Sequence, residues 1–386
     1  MIRNSEMRAH YWPHIADVGG EAWNACFPGD AENHAYYSAC EQSGPTSHRT
    51  GAVSVSRDGD LIAAAPVFAM TFRFDASFQS GDGPLSRMQR RVARYFGVPL
   101  IGIGSPFAER CHVGLHPSLD SRDRKAALAA LIGAVEESAR VERIRLVALK
   151  DVVGADCPEI ADVLSDLGYA RVAGLPVAVL DLTGVSGIES YLQRLSPSTR
   201  KDIRRKLRDF ASLRVEDRYD IEDLGRELAN LYDETRRSSQ LDYGEFEELP
   251  PKYFNSVAQA LGKRALFRLY WVGSTLVAFN LLLIERDRII DKFLGMRYPL
   301  AREHNLYVLS WIENVRLCIA RGVTTLQTGQ TAYREKLRMG SHLEPTSIWF
   351  RHRAAFTQRV LRAVAPFASF ERNDPDLRAV ACRSSR

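Results

Sequence analysis

The loop TGQTAYREKLRMG, residues 328–340, holds the most distinctive cluster of polar groups in the chain. Lys336 can bind an anionic group and Gln330 can hydrogen-bond an amide, while Glu335 is a candidate base and Tyr333 a candidate proton donor. The plainer reading is an exposed loop and helix start whose charges are solvated. Asp291 is a second candidate base, set in the apolar run RIIDKFLGM. Strand alternation puts Ile289, Asp291 and Phe293 on one face and Ile290, Lys292 and Leu294 on the other. One charged residue then shares a face with apolar neighbours, unless the strand is an edge with both charges in water. Burial would raise the carboxyl pKa, which suits a base.

Two further stretches offer anion-binding groups. In REHNLYVL, Asn305 can cap a helix while Arg302 and His304 can meet a phosphate. Ser196 is a good N-cap and Pro197 suits the first helical position, so a helix is expected from there. Ile203, Leu207 and Phe210 form its buried stripe. Arg200, Arg204 and Arg208 line a different face, with Lys201 and Arg205 beside them. They make either a solvated basic face or a positive wall over a phosphate or acidic group. No cysteine or serine sits in a nucleophile motif and GxSxG is absent, so direct attack is favoured over a covalent intermediate. His112 and His116 lack a nearby acidic partner, so no metal site is expected. The glycines of GVPLIGIGSPF do not precede a convincing helix, which argues against a dinucleotide site.

The elements that must position these residues follow from periodicity. Strands are expected over 266–271, 276–284, 289–296 and 324–327, with an amphipathic helix over 306–320 before the last of them. In the first half, helices are expected over 15–25, 35–42, 85–95, 124–139 and 159–167, the last closed by Gly168. Strands are expected over 53–55 and 61–68 around the turn Asp58-Gly59, then over 144–149 and 177–182. Residues 211–263 read as helices over 221–237 and 251–261 joined by the acidic DYGEFEEL. A basic helix over 354–368 precedes a poorly ordered tail.

Hairpin, helix and strand occur twice in this order. VSVSRDGDLIAAAPVF, the helix 124–139 and IRLVAL correspond to FRLYWVGSTLVAFNLL, the helix 306–320 and VTTLQT. The alternative is coincidence between two common patterns. The repeat implies an α/β fold with mixed sheets in two similar halves: residues 1–175, residues 176–352, and a helix and tail at 353–386. Of the 386 residues, 45% are hydrophobic and 26% charged, which describes a globular chain rather than a disordered one. No apolar run approaches the roughly 18 residues of a membrane span. The start MIRNSEMRAHYWPHI lacks a signal-peptide core, and the six cysteines are scattered, so a cytoplasmic location with reduced thiols is expected. The net charge of +5 is compatible with an anionic small-molecule partner and too weak to argue for nucleic acid.

The run LDLTG…YLQRLSPSTRKDIRRKLRDF, the hairpin FRLYWVGSTLVAFNLLL and NLYVLSWIENVRLCIARGV…TGQTAYREKLRMG together resemble the tandem GNAT-like acyltransferases. That group includes the FemAB peptidyltransferases and the acetyltransferases of cellulose biosynthesis. The resemblance implies two GNAT-like domains and transfer of an acyl group from acyl-CoA or acyl-carrier protein to an amine. It places the coenzyme pyrophosphate at the helix start formed by Arg302, His304, Asn305 and Leu306, where the family's glycines are missing. It makes Arg200, Arg204, Arg205, Gln330 and Lys336 substrate-binding candidates, Asp291 or Glu335 the base, and Tyr333 the proton donor to the leaving thiolate. Two alternatives stand beside it. One is an aminoacyl-tRNA-dependent transferase, although no heptad run for a helical arm is present. The other is a non-catalytic binding protein on a degenerate GNAT frame.

Overall fold

The computed structural model describes residues 6–73, 97–208, 213–238, 248–365 and 376–378. The expected helix 85–95, Phe210, most of the acidic segment DYGEFEEL and most of the tail lie outside the described residues. The first sheet holds β1 (Met7–Trp12), β2 (Arg49–Arg57), β3 (Asp60–Arg73), β4 (Gly97–Ile103), β5 (Gly114–Leu115), β6 (Leu146–Val152) and β7 (Ala170–Ala173). The second holds β8 (Val177–Asp181), β9 (Arg214–Arg218), β10 (Ala265–Val272), β11 (Thr275–Ile284), β12 (Arg288–Met296), β13 (Thr325–Gly329) and β14 (His342–Glu344). A last strand, β15 (Ser347–His352), returns to the first sheet.

The two sheets have the same plan. The first runs β1-β2-β3-β4-β6-β15-β7 and the second β9-β10-β11-β12-β13-β8-β14. In each, an antiparallel hairpin and a third strand lead to one parallel pair, β4 with β6 and β12 with β13. The repeat read from the sequence is therefore a repeat of structure. Asp58 (φ 57) and Gly59 (φ 96) form the tight turn between β2 and β3, whose flanking residues Arg57 and Asp60 pair. β15, from the second half, lies between β6 and β7 of the first sheet, and β8, the strand that follows β7 in the chain, fills the matching place between β13 and β14.

The helix expected over 15–25 is a 3-10 turn at Ile15–Asp17 followed by α1 (Gly20–Cys26), and the one expected over 35–42 is α2 (His34–Gln42). Helix α3 (Ser121–Val141) covers one face of the first sheet, burying Leu128, Leu131 and Val135 against Ile101, Val147 and Leu149. Helix α4 (Ile160–Asp166) ends at Gly168, whose φ of +80 gives the left-handed stop expected there. Then come α5 (Ile188–Gln193) and α6 (Pro197–Lys206), which Ser196 caps by accepting from the Thr199 amide at 3.2 Å. Helices α7 (Gly225–Ser238) and α8 (Tyr253–Leu261) cover one face of the second sheet through Leu228, Leu231 and Phe254. Short α9 (Leu300–Glu303) precedes α10 (Leu306–Arg321), which packs on the other face through Ile312 and Val315. Helices α11 (Tyr333–Arg338) and α12 (Ala355–Val364) complete the chain.

Candidate active site

A cavity of about 840 Å³ lies between the two sheets. Its polar part is lined by Glu109, Lys150 and Asp151 from the first half and by Asp291, Lys292, Gln330 and Lys336 from the second. The volume lies within the usual range for a small-molecule site.

Asp291 sits on β12, fourth of seven strands, so the edge-strand reading of its charge is overturned. The expected alternation also breaks. Leu282 pairs with Asp291 and Leu281 with Phe293, leaving Lys292 as the extra residue of a bulge. Beyond it the faces swap: Phe293 joins Ile290 on the α7–α8 side, and Leu294 joins the cluster containing Leu309 of α10. Asn280 and Asn314 each donate from Nδ2 to one carboxylate oxygen of Asp291, both at 2.9 Å. Burial still dominates and pushes the Asp291 carboxyl up to about 7.

Lys336 is buried, and its Nζ donates to the carbonyls of Thr328, Gly329 and Gln330, the last two at 3.1 and 2.9 Å. Burial lowers its ammonium to about 8. The lysine thereby shapes the loop it was read from. Gln330 Nε2 donates to Leu175 O at 2.8 Å and Asp151 Oδ1 at 3.2 Å, tying this loop to the first half. Gly329 combines a φ of +74 with a Glu109 oxygen 2.0 Å from where a Cβ would stand, so a side chain there would be strained and would displace that carboxylate.

A second cleft lies beside the cavity and shares Met296, Tyr298 and Tyr307 with it. β12 pairs with β13 only over residues 288–290 and 325–327, and α10 starts beyond the end of β12. Arg302, Asn305 and Val308 border this cleft, together with Lys206, Asp202, Glu335 and Arg338. The first turn of any helix leaves amides without intrahelical partners, which suits an anion. Arg302 stacks over Tyr298 at 5.5 Å, while Lys206 and Arg338 both pair with Asp202. The helix end and Arg302 offer donors of the kind that hold a phosphate group. Asn305 differs from the expected cap: it adopts a left-handed conformation (φ 52) and makes no capping hydrogen bond.

The other sequence candidates fall elsewhere. Tyr333 is fully buried, its hydroxyl donating to Pro176 O at 2.9 Å, and it does not line the cavity. Glu335 borders the second cleft and pairs with Arg338 at 2.8 Å. Leu306 is core, and His304 closes α9 without lining either space. On α6, Arg204 pairs with Glu189 and Arg205 with Asp202, both arginines being exposed, and neither they nor Arg200 line either space. It is Asp202 and Lys206 of that helix that border the cleft.

Several cavity residues escaped the sequence reading. Glu109 accepts from Gln327 Nε2 at 3.0 Å, and Lys150 pairs with Asp151. Their signal was the repeat itself, since Lys150-Asp151 ends β6 as the polar loop ends β13. Lys292 pairs with Glu32, both side chains 2% exposed, and Glu32 also meets His112 at 3.3 Å. Tyr307 lines both spaces, and its hydroxyl has no hydrogen-bond partner among the described residues.

With this geometry in view, the comparisons can be read. The family described as Acetyltransferase (GNAT) domain matches residues 197–337. The chain is an acyltransferase with a tandem GNAT-like fold. Among solved structures, FemX is similar with a TM-score of 0.55 at 13% identity, over 90% of this chain and 98% of that one. A tandem GNAT protein from the clavulanic acid biosynthesis pathway gives 0.51 at 13% identity, over 90% and 99%. The C-terminal domain of a putative lysylphosphatidylglycerol synthetase from Agrobacterium fabrum gives 0.50 at 12%, over 89% and 94%. No curated protein matches by sequence. In this GNAT-like frame the matched segment runs from α6 to α11 and contains Asp291, Tyr307, Gln330 and Lys336.

Proposed function

We propose that this acyltransferase moves an acyl group from a thioester, acyl-CoA or acyl-carrier protein, to an amine by direct attack. Asp291 carries the reading. An amine reaches the cavity mostly as ammonium and must lose a proton before it can attack. A carboxylate titrating near 7 takes that proton at neutral pH and remains a real base. The coenzyme would lie in the second cleft with its phosphates toward Arg302 and the start of α10, and the thioester would enter past Met296 and Tyr307. Burial raises the Tyr307 phenol, so it stays protonated and can donate to the departing thiolate. Tyr307 takes the role the sequence suggested for Tyr333. Gln330 and Lys150, at the rim shared by the two halves, can orient the acceptor. The buried free thiols Cys26, Cys40, Cys111, Cys157 and Cys318 fit a cytoplasmic setting.

A mass-spectrometric assay of the full chain with a panel of acyl-CoAs and primary amines tests the reading. Amide products are expected, whereas absence of both coenzyme binding and transfer across the panel overturns it. A second reading, transfer of an aminoacyl group from charged tRNA to an amine, is supported by the fold likeness to FemX and to the lysylphosphatidylglycerol synthetase domain. It requires that activity vanish on ribonuclease treatment and that affinity fall steeply with salt.

A further inference from the structure

The cavity has a second part that acid–base chemistry does not use. Along the strands of the first sheet, alternate residues face opposite ways. Ile101, Val147, Leu149 and Trp349 face α3 and are packed in its core. Phe68, Leu100, Leu146, Ala148, Ile348 and Phe350 face the other way and line the cavity. Helix α12 supplies the opposing wall through Leu361 and Val364. No charged side chain comes from this set of residues, and the same cavity is continuous with Asp291 and Lys336. In the second sheet the faces are filled by α7 and α8 on one side and α10 on the other. Among the described residues, this face of the first sheet instead lines an apolar limb of the cavity that holds Asp291 and Lys336.

We propose that this limb holds a long hydrocarbon chain carried by one of the two substrates. The inference rests on the acyl-transfer reading of the site and names the substrate class. In that reading the donor enters from the second cleft, which shares Met296, Tyr298 and Tyr307 with the cavity, and an acyl chain continuing past the thioester would extend into the cavity's apolar limb. A chain attached to the acceptor amine would occupy the same space. An apolar chain gains from leaving water, and in the limb it would meet the half-buried Ile348 and Phe350 beside the buried Phe68 and Leu146.

Two experiments on the full chain separate the possibilities. The first is equilibrium binding of cis-parinaric acid, a fluorescent hydrocarbon-chain probe, to the wild type, to Ala148→Phe and to Val172→Trp, at the β7 residue that pairs with Ile348 and also lines the cavity, each checked for an unchanged thermal transition. Saturable binding to the wild type, weakened at least tenfold in either folded variant, is expected. Absence of binding, or equal binding by wild type and both variants, overturns the limb. The second compares kcat/KM for acetyl- through palmitoyl-CoA with a short amine, and for methylamine through dodecylamine with acetyl-CoA. A rise of up to about fourfold per added methylene in one series assigns the chain to donor or acceptor. Transfer that is flat in both series overturns the inference while leaving acyl transfer intact. Probe binding without transfer in any arm removes the acyl-transfer reading while the limb stands.

Discussion

Asp291 shows how three local effects set one side chain. Burial raises its pKa, and the two amides of Asn280 and Asn314 oppose that rise by donating to the ionised form. Removing one donor leaves burial less opposed. Asn314→Ala should therefore move the midpoint of the pH–rate profile above 7, read from kcat/KM between pH 5 and 9. A midpoint that falls would show that the amide stabilises the protonated form instead. Gly329 is set by conformation and space together. Gly329→Ala meets a left-handed backbone and the Glu109 carboxylate at once. A loss of about 1–3 kcal/mol in unfolding free energy is expected, with transfer impaired because the Gln330 carbonyl and side chain move with the loop.

At the scale of elements, the long strands and helices of the second half were legible because their periods are clean. The expected spans 276–284 and 306–320 became Thr275–Ile284 and Leu306–Arg321. Two of the strands that escaped notice, Met7–Trp12 and Arg214–Arg218, lie at sheet edges and carry little apolar alternation to read, while Ser347–His352 escaped although it is interior to the first sheet. The Lys292 bulge was illegible for a different reason. A period of two describes residues 288–291, and only pairing with β11 reveals the extra residue that flips Phe293 and Leu294. Asp291 was found because a carboxylate in an apolar strand is anomalous by itself. Glu109, Asp151 and Tyr307 became visible only once the halves were brought together. The arginines of α6 misled because a charged helix face looks the same whether it faces water or a cleft.

For the whole molecule, β15 makes the first half depend on the second. A chain ending at residue 346 lacks β15, which separates β6 from β7 in the first sheet. Such a chain should lose the cooperative thermal transition of the first half; a first half that still melts cooperatively would show that β15 is dispensable. The Glu32–Lys292 pair links α2's approach to β12 from opposite halves with both side chains out of water. Glu32→Gln or Lys292→Met alone should cost about 3–5 kcal/mol by stranding a buried charge. The double variant should recover much of that loss in chemical denaturation, and strict additivity would refute the coupling.

The acyl-transfer account depends most on Asp291 acting as the base. Its direct measurement is kcat/KM for amide formation against pH, in the wild type and in Asp291→Asn. A base must be ionised, so wild-type activity should rise with pH and level off above a midpoint near 7. Asp291→Asn should fall by about 10²- to 10⁴-fold and lose that midpoint. A wild-type profile flat from pH 5 to 9, or an Asn variant with undiminished activity and the same midpoint, would contradict the account.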